Sequence, residues 1–206
     1  MSTETPHEGG SRGGRRRAGR GRFPDGPSPG SGAADAPPAD PEAVAREVCL
    51  RLLTMSPRTR SQLAQALQKK NVPENVAERV LSRFSEVGLI DDAAFAQAWV
   101  ESRHRGRGLA GRALAAELRQ RGVADETVKE AVSVLDSDQE ESRARDLVDR
   151  RLASTRGADP VKRMRKLVGM LARKGYAPGL AYRVVKEALA AEGTDVEELP
   201  EDDPEE

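Results

Sequence analysis

One helix-ending signal occurs three times in this chain and constrains its fold more than any other feature. The copies are Lys70-Asn71-Val72, Arg121-Gly122-Val123 and Lys174-Gly175-Tyr176, spaced 51 and 53 residues apart. In each copy a basic residue complements the negative end of a helix dipole. Asn or Gly then adopts the left-handed conformation, and the following apolar residue packs back on the last turn. The chain is therefore predicted to repeat one helical unit three times.

Leucine pairs at matching positions before the three signals support the repeat. Each pair is four residues apart, so both members share one helix face. The pairs are Leu63 and Leu67, Leu114 and Leu118, and Leu167 and Leu171. A unit of about 50 residues is small for an independent core, so we expect the units to pack in series. The predicted fold is all-α, with three tandem three-helix repeats of helix-turn-helix type in an elongated, curved body.

Composition and helix signals set the predicted boundaries. The three repeats are expected at residues 40–90, 91–136 and 137–191. Residues 1–39 are rich in Gly, Pro and Arg, and residues 192–206 are acidic. Neither end carries enough apolar side chains to form a core, so both are predicted to be disordered tails.

Helix starts are marked by N-cap residues, whose side chains accept hydrogen bonds from the first turn. Asp40 and Asp159 each precede a proline, and Thr59 has a glutamine three residues later, which is typical of a capping box. Asp91 begins a helix whose aromatic residues, Phe95 and Trp99, share one face and are expected to pack in the core. A basic, glycine-containing loop is predicted to follow over residues 103–108.

The sequence offers little support for catalysis. Residues 106–111 match G-x-G-x-x-G, but a helix precedes them where the dinucleotide-binding fingerprint needs a strand. Asp91 and Asp92 lie at a helix start, where carboxylates cap the helix. Cys49, the single cysteine, lies on an apolar helix face and is expected to be a buried, inert thiol. We therefore expect no enzyme activity, no cofactor and no metal.

Hydropathy and cysteine content favour a cytoplasmic protein. No apolar run is long enough to span a membrane, and the amino terminus has no apolar stretch of the secretory type. A single cysteine cannot form an internal disulfide, which fits a reducing compartment.

Charge is strongly segregated although the formal net charge is zero. Residues 12–22 hold six arginines and no acid, whereas residues 192–206 hold nine acids and no base. Residues 42–191 carry 28 basic and 20 acidic side chains. A basic body favours a polyanionic partner, although a solvated basic surface would give the same composition.

Candidate binding residues are the basic side chains around the second and third helix signals. Guanidinium groups grip phosphate with two hydrogen bonds, and tyrosine rings, here Tyr176 and Tyr182, can stack on bases. The candidate residues are Arg103, Arg105, Arg107, Arg112, Arg119, Arg121, Lys166, Arg173, Lys174, Tyr176 and Arg183.

Three segments resemble the RecX family of regulatory proteins. They are GLIDDAAFAQAWVESR from residue 88, ELRQRGV from residue 117, and LARKGY with LAYRVVKEAL from residues 171 and 180. The resemblance covers residues 42–191 and leaves both tails outside it.

This resemblance implies a small cytosolic bacterial helical protein that binds the recombinase RecA. Such proteins are expected to lie in the groove of the RecA–DNA filament and to limit its ATPase, strand-exchange and co-protease activities. They thereby modulate DNA repair, homologous recombination and the SOS response. The implied partners are RecA, its nucleoprotein filament and the DNA backbone, and the implied state is a monomer without catalytic residues. The alternative is a non-catalytic helical-repeat protein that binds DNA without RecA.

Overall fold

The computed structural model describes residues 40–194, which form nine α-helices, one short 3₁₀ helix at Ala153–Thr155 and no strand. The α-helices are α1 (Pro41–Met55), α2 (Arg60–Gln68), α3 (Glu74–Glu86), α4 (Asp92–Arg107), α5 (Gly111–Gln120), α6 (Asp125–Val132), α7 (Ser137–Leu152), α8 (Pro160–Arg173) and α9 (Pro178–Ala191). The all-α prediction is confirmed. The disorder predicted for residues 1–39 lies outside the described part, and so does that predicted for residues 192–206 except at its first three residues. There Glu192 pairs with Arg156 and Arg163, and Arg163 also donates to the hydroxyl of Thr194, so the ordered chain extends to residue 194.

Three helices at a time form one repeat with its own core, and each set falls within the range predicted for it. The three cores comprise buried side chains of α1–α3, α4–α6 and α7–α9 respectively. All six leucines of the predicted pairs are fully buried, and they belong to the cores of their own repeats. The third core also includes Ala110 of the second repeat, so the second and third cores meet at this residue.

The three helix-ending signals have the same geometry, as predicted. Asn71, Gly122 and Gly175 have φ values of 56°, 77° and 89°. In all three, the backbone N–H of the next residue donates to the carbonyl of the residue five positions earlier, and the length is 3.2 Å each time. The bonds run from Val72 to Leu67, from Val123 to Leu118 and from Tyr176 to Leu171. This is the Schellman pattern, and the apolar residue that makes it is buried each time.

The predicted helix starts are also confirmed. Asp40, Asp91 and Asp159 each accept hydrogen bonds from the first turn of the following helix, and Thr59 forms the capping box with Gln62. These bonds satisfy N–H groups that have no partner within the helix.

The basic loop expected at residues 103–108 is wrong, because α4 continues through Arg107. Gly106 lies inside the last helical turn, and Gly108 takes the left-handed conformation that ends the helix, with φ of 63°. One glycine costs a helix only about 1 kcal/mol, so Gly106 alone does not stop it. Arg103, Arg105 and Arg107 therefore lie on a helix.

The second and third helix-ending signals each dock on the start of the middle helix in the preceding repeat. At the first junction the hydroxyl of Thr59, which is fully buried, donates to the carbonyl of Arg121 at 2.7 Å. The N–H of Arg60 donates to the carboxylate of Asp92 at 2.9 Å. Asp92 thus caps a helix of the neighbouring repeat, so its role is structural.

The second junction repeats this arrangement. The N–H of Ala110, which precedes α5 as Thr59 precedes α2, donates to the carbonyl of Lys174 at 2.9 Å. The N–H of Gly111 donates to the carboxylate of Glu140 at 2.6 Å. The carbonyls of Arg121 and Lys174, at equivalent places in their repeats, therefore hold the repeats together.

This docking explains why the first signal contains asparagine and the others contain glycine. A Cβ atom at Gly122 would overlap the side chain of Ser61, and one at Gly175 would lie 2.5 Å from the backbone nitrogen of Ala113. Asn71 belongs to the first repeat and is exposed. Asparagine tolerates the left-handed conformation, so only the two docked positions need glycine for space as well.

Candidate functional site

The structure brings three of the candidate residues, Arg103, Arg107 and Arg121, together at the first junction. They line a concavity of about 340 Å³ that also includes Trp99 and Glu117. Arg103 and Arg107 come from α4, and Arg121 comes from the helix-ending signal after α5. Residues far apart in the sequence thus form one basic surface.

Trp99 organises this basic surface. The guanidinium carbons of Arg103 and Arg121 lie 4.1 Å and 3.7 Å from its ring centroid, within cation–π range. Phe95 stacks beside the ring with centroids 5.7 Å apart. The indole N–H donates to the carboxylate of Glu117 at 2.8 Å. The aromatic pair therefore packs against its core, as expected, and also holds two guanidinium groups in place.

Positive charge is crowded here. Burial lowers the pKa of Arg121, and the nearby charges of Arg103 and Arg58 lower it further, whereas Glu117 raises it. Arginine stays protonated even so, so the like charges are retained. The surface is therefore suited to attract an anion.

A larger cleft of about 660 Å³ adjoins this surface between the first and second repeats. Its walls are largely apolar, with Leu53, Leu89, Phe95 and Trp99 among them, and Arg58, Arg103 and Arg121 line it too. We refer to this space as the Trp99 cleft. Sequence reasoning missed Arg58 and the cleft, because both depend on how two repeats meet.

The second junction places Arg112 and Arg173 together. Both are exposed, and both line a groove of about 420 Å³ beside Gly175. Neither forms an ion pair with another described residue. Lys174 instead donates from its ammonium group to the carbonyl of Arg107, which ties the repeats together. Two solvent-facing guanidinium groups in one groove can bind phosphate.

Helix α8 adds further exposed positive charge. Lys166 is exposed on it, together with Lys162 and Arg165, and Arg173 is exposed at the last position of the helix. We refer to these residues and Arg112 as the α8 basic surface.

Three candidate residues are paired with carboxylates. Arg105 pairs with Glu101 at 2.8 Å, Arg119 with Asp125 at 2.7 Å, and Arg183 with Glu141 at 2.6 Å. Hydrogen bonding from Arg119 lowers the pKa of Asp125, and bonds from Arg145 and then Arg183 lower that of Glu141. These arginines are partly neutralised, so they contribute less to an anion-binding surface than the unpaired ones.

Tyr176 does not lie where a base could stack on it. Its side chain is 2% exposed in the third core, and its hydroxyl donates to the carbonyl of Gly108 at 3.2 Å. Burial raises its pKa to about 12. As the apolar residue of a Schellman motif it has to pack inward. Tyr182 is half-buried beside the ammonium group of Lys186, 5.9 Å from its ring.

Other expectations concern reactive groups. Cys49 is fully buried, as predicted, and burial raises the pKa of its thiol to about 11. Among residues 40–194, His, Cys, Asp and Glu side chains form no group of three that could hold a metal ion. In the same part of the chain no helix is long and apolar enough to cross a membrane.

Comparisons with known proteins match all three repeats. Residues 45–84, 91–132 and 138–185 match the family models described as the first, second and third three-helix domains of RecX. Regulatory protein RecX of Streptomyces coelicolor is 64% identical over 163 residues, covering 79% of this chain and 87% of the relative. Regulatory protein RecX of Thermobifida fusca is 60% identical over 181 residues, covering 88% and 95%.

Solved structures support the same fold. The crystal structure of RecX from Lactobacillus salivarius superposes with a TM-score of 0.67 at 16% identity, covering 73% of this chain and 97% of that chain. At this identity the likeness shows the fold alone. The three domain matches and the high identity to relatives along most of their length show more: the chain belongs to the RecX family of regulatory proteins.

Proposed function

We propose that this protein binds RecA and RecA–DNA filaments and inhibits recombinase, ATPase and co-protease activity. It would thereby modulate DNA repair and recombination. Membership of the RecX family supports this role. The observation that carries it for this chain is the basic surface at both repeat junctions. Five arginines lie there, and none of them forms an ion pair with a carboxylate among the described residues: Arg103, Arg107, Arg112, Arg121 and Arg173.

The proposed mechanism is non-catalytic. A filament of protein on DNA offers phosphate groups beside protein surface along its groove, and a chain of three repeats presents several contact surfaces in series. Exposed guanidinium groups release counterions when they bind phosphate, which gives affinity without sequence preference. We propose that the protein acts as a cytoplasmic monomer and needs no cofactor.

The test is the single-stranded-DNA-dependent ATPase of the cognate RecA, titrated with this protein at fixed salt. We expect the wild type to lower the rate and the double variant Arg112→Glu, Arg173→Glu to inhibit at least about tenfold less well, because several charge contacts are reversed. A matched control, Arg51→Glu with Arg83→Glu, makes the same charge change at exposed positions in the first repeat. Equal inhibition by both double variants would contradict the site assignment.

Binding to DNA without RecA is the second candidate function. The α8 basic surface favours it, because four exposed basic residues lie on the middle helix of a helix-turn-helix-like repeat. A protein that acts on DNA alone should bind bare DNA with a steep salt dependence and leave the RecA ATPase unchanged at salt concentrations that abolish DNA binding.

A further inference from the structure

We propose that the Trp99 cleft binds a segment of a partner protein that carries an apolar side chain next to carboxylates. That this partner is RecA rests on the proposed function. The inference assigns the contacts with protein and the contacts with DNA to two different surfaces. The Trp99 cleft would contact protein, whereas the α8 basic surface would contact phosphate.

The shape and walls of the cleft fit an apolar side chain. Its volume of about 660 Å³ lies within the range of about 300–1,000 Å³ that is usual for binding clefts. Leu53, Leu89, Ala94 and Ala98 line it with Phe95. Leu89 is 48% exposed, although leucine gains free energy when it leaves water. An apolar side chain in the cleft would cover this surface.

The charges of the cleft fit a carboxylate beside that apolar side chain. Arg58, Arg103 and Arg121 line the cleft. Asp91 lines it too, but its carboxylate already caps α4 by accepting a hydrogen bond from the N–H of Ala94. The Nε of Arg58 is buried and makes no hydrogen bond within the described residues. None of the three lining arginines forms an ion pair among the described residues, and hydrogen bonds to charged groups are the strong ones, so an incoming carboxylate would find guanidinium partners here.

Two observations favour protein over nucleic acid at this position. Two guanidinium carbons lie within 4.1 Å of the Trp99 centroid and Phe95 stacks beside it, so a nucleobase would have to compete with these groups for the ring. Exposed leucine is also a poor neighbour for a phosphate backbone, whereas apolar contacts ringed by arginine are typical of protein interfaces. The α8 basic surface has the opposite character, because its charges are exposed along the whole of α8.

The test uses the full-length protein and a synthetic acidic peptide of about 12 residues that contains two leucines four positions apart. Trp99 is the single tryptophan of the chain, so its emission reports binding at the cleft directly. Labelled-peptide anisotropy gives the affinity. Two control peptides replace the leucines by serine, or the acidic residues by their amides. We expect the acidic leucine peptide to bind at least about tenfold more tightly than either control.

Two variants and one matched control locate the site. Leu89→Glu puts a negative charge in the cleft, and Arg58→Met removes a positive charge while keeping an apolar stem; each should weaken peptide binding about tenfold or more. Val134→Glu makes the same type of change at an apolar position that is 61% exposed and outside the cleft, and should leave binding unchanged. Circular dichroism checks that all three variants keep their helices.

Several results would overturn the inference. These are an acidic leucine peptide that neither binds nor changes Trp99 emission, a serine peptide that binds equally well, or wild-type affinity in both cleft variants. Oligothymidylate that displaces the peptide and shows the same sensitivity to Leu89→Glu would assign the cleft to nucleic acid instead. RecA takes no part in this experiment, so the cleft assignment and the proposed function can fail separately.

Discussion

Glycine is required at position 122 for two reasons: the backbone conformation is left-handed, and a side chain would have no room. A double-mutant cycle can separate the free-energy costs of the two. Gly122→Ala forces an L-residue into the left-handed region, which costs roughly 1–2 kcal/mol. The new Cβ would also overlap the Oγ and Cβ of Ser61 in the preceding repeat. Overpacking of this kind costs about 1–3 kcal/mol, so the substitution should lower the free energy of unfolding by about 2–5 kcal/mol.

Ser61→Gly removes both overlapping atoms, and the nearest remaining atom, Cα, lies 3.8 Å from the new Cβ position. In this background Gly122→Ala should cost only the conformational part, roughly 1–2 kcal/mol. The helix cost of glycine at position 61 cancels in the cycle. The expected coupling between the two positions is therefore about 1–3 kcal/mol.

The assay is urea unfolding followed by the emission of Trp99, which lies at the same junction, with helix content measured in parallel. Gly157→Ala is the control for strain alone, because Gly157 has φ of 82° and no atom within 4 Å of an added Cβ. An equal cost of Gly122→Ala with Ser61 present and absent would refute the argument that close docking of the repeats demands glycine.

Three further predictions test the packing and the titrating groups. Tyr176→Phe leaves the carbonyl of Gly108 without its hydroxyl donor and should lower the free energy of unfolding by about 1 kcal/mol, measured in urea. Bonds from Arg163 and then Arg156 lower the pKa of Glu192 below its ordinary 4.5. Its stabilising effect is therefore full above pH 4.5 and is lost as the pH falls through the lowered value, so thermal unfolding of wild type and Glu192→Gln should converge in acid. Cys49 should react with a thiol reagent only after urea unfolding, because the native thiol is buried and its pKa is about 11.

Local signals in the sequence were sufficient to predict the repeats. A Schellman ending or an N-cap depends on a few consecutive residues, so the sequence alone predicts the left-handed conformations of Asn71, Gly122 and Gly175. The end of α4 was harder, because Gly106 and Gly108 both permit a helix to stop and only Gly108 does so.

Features that depend on how repeats meet could not be predicted in this way. The Trp99 cleft needs residues from two repeats, and the burial of Tyr176 follows from its place in a helix-ending motif that its own side-chain chemistry does not reveal. The basic residues were found from charge, but sequence does not show that Arg119 faces Asp125 whereas Arg112 faces a groove with Arg173. Which basic side chains remain free to bind an anion depends on their carboxylate partners, and tertiary structure determines those partners.

We propose that the target of this protein is the RecA filament and that bare DNA is a weaker ligand. The most direct measurement is the affinity of the protein, labelled at its amino terminus, for one single-stranded oligonucleotide with and without saturating RecA and a non-hydrolysable ATP analogue, over a series of salt concentrations. We expect binding to the filament to persist at salt concentrations that abolish binding to the bare strand, because protein contacts are screened less than phosphate contacts. Equal affinities and equal salt slopes for the two would contradict it and favour binding to DNA alone.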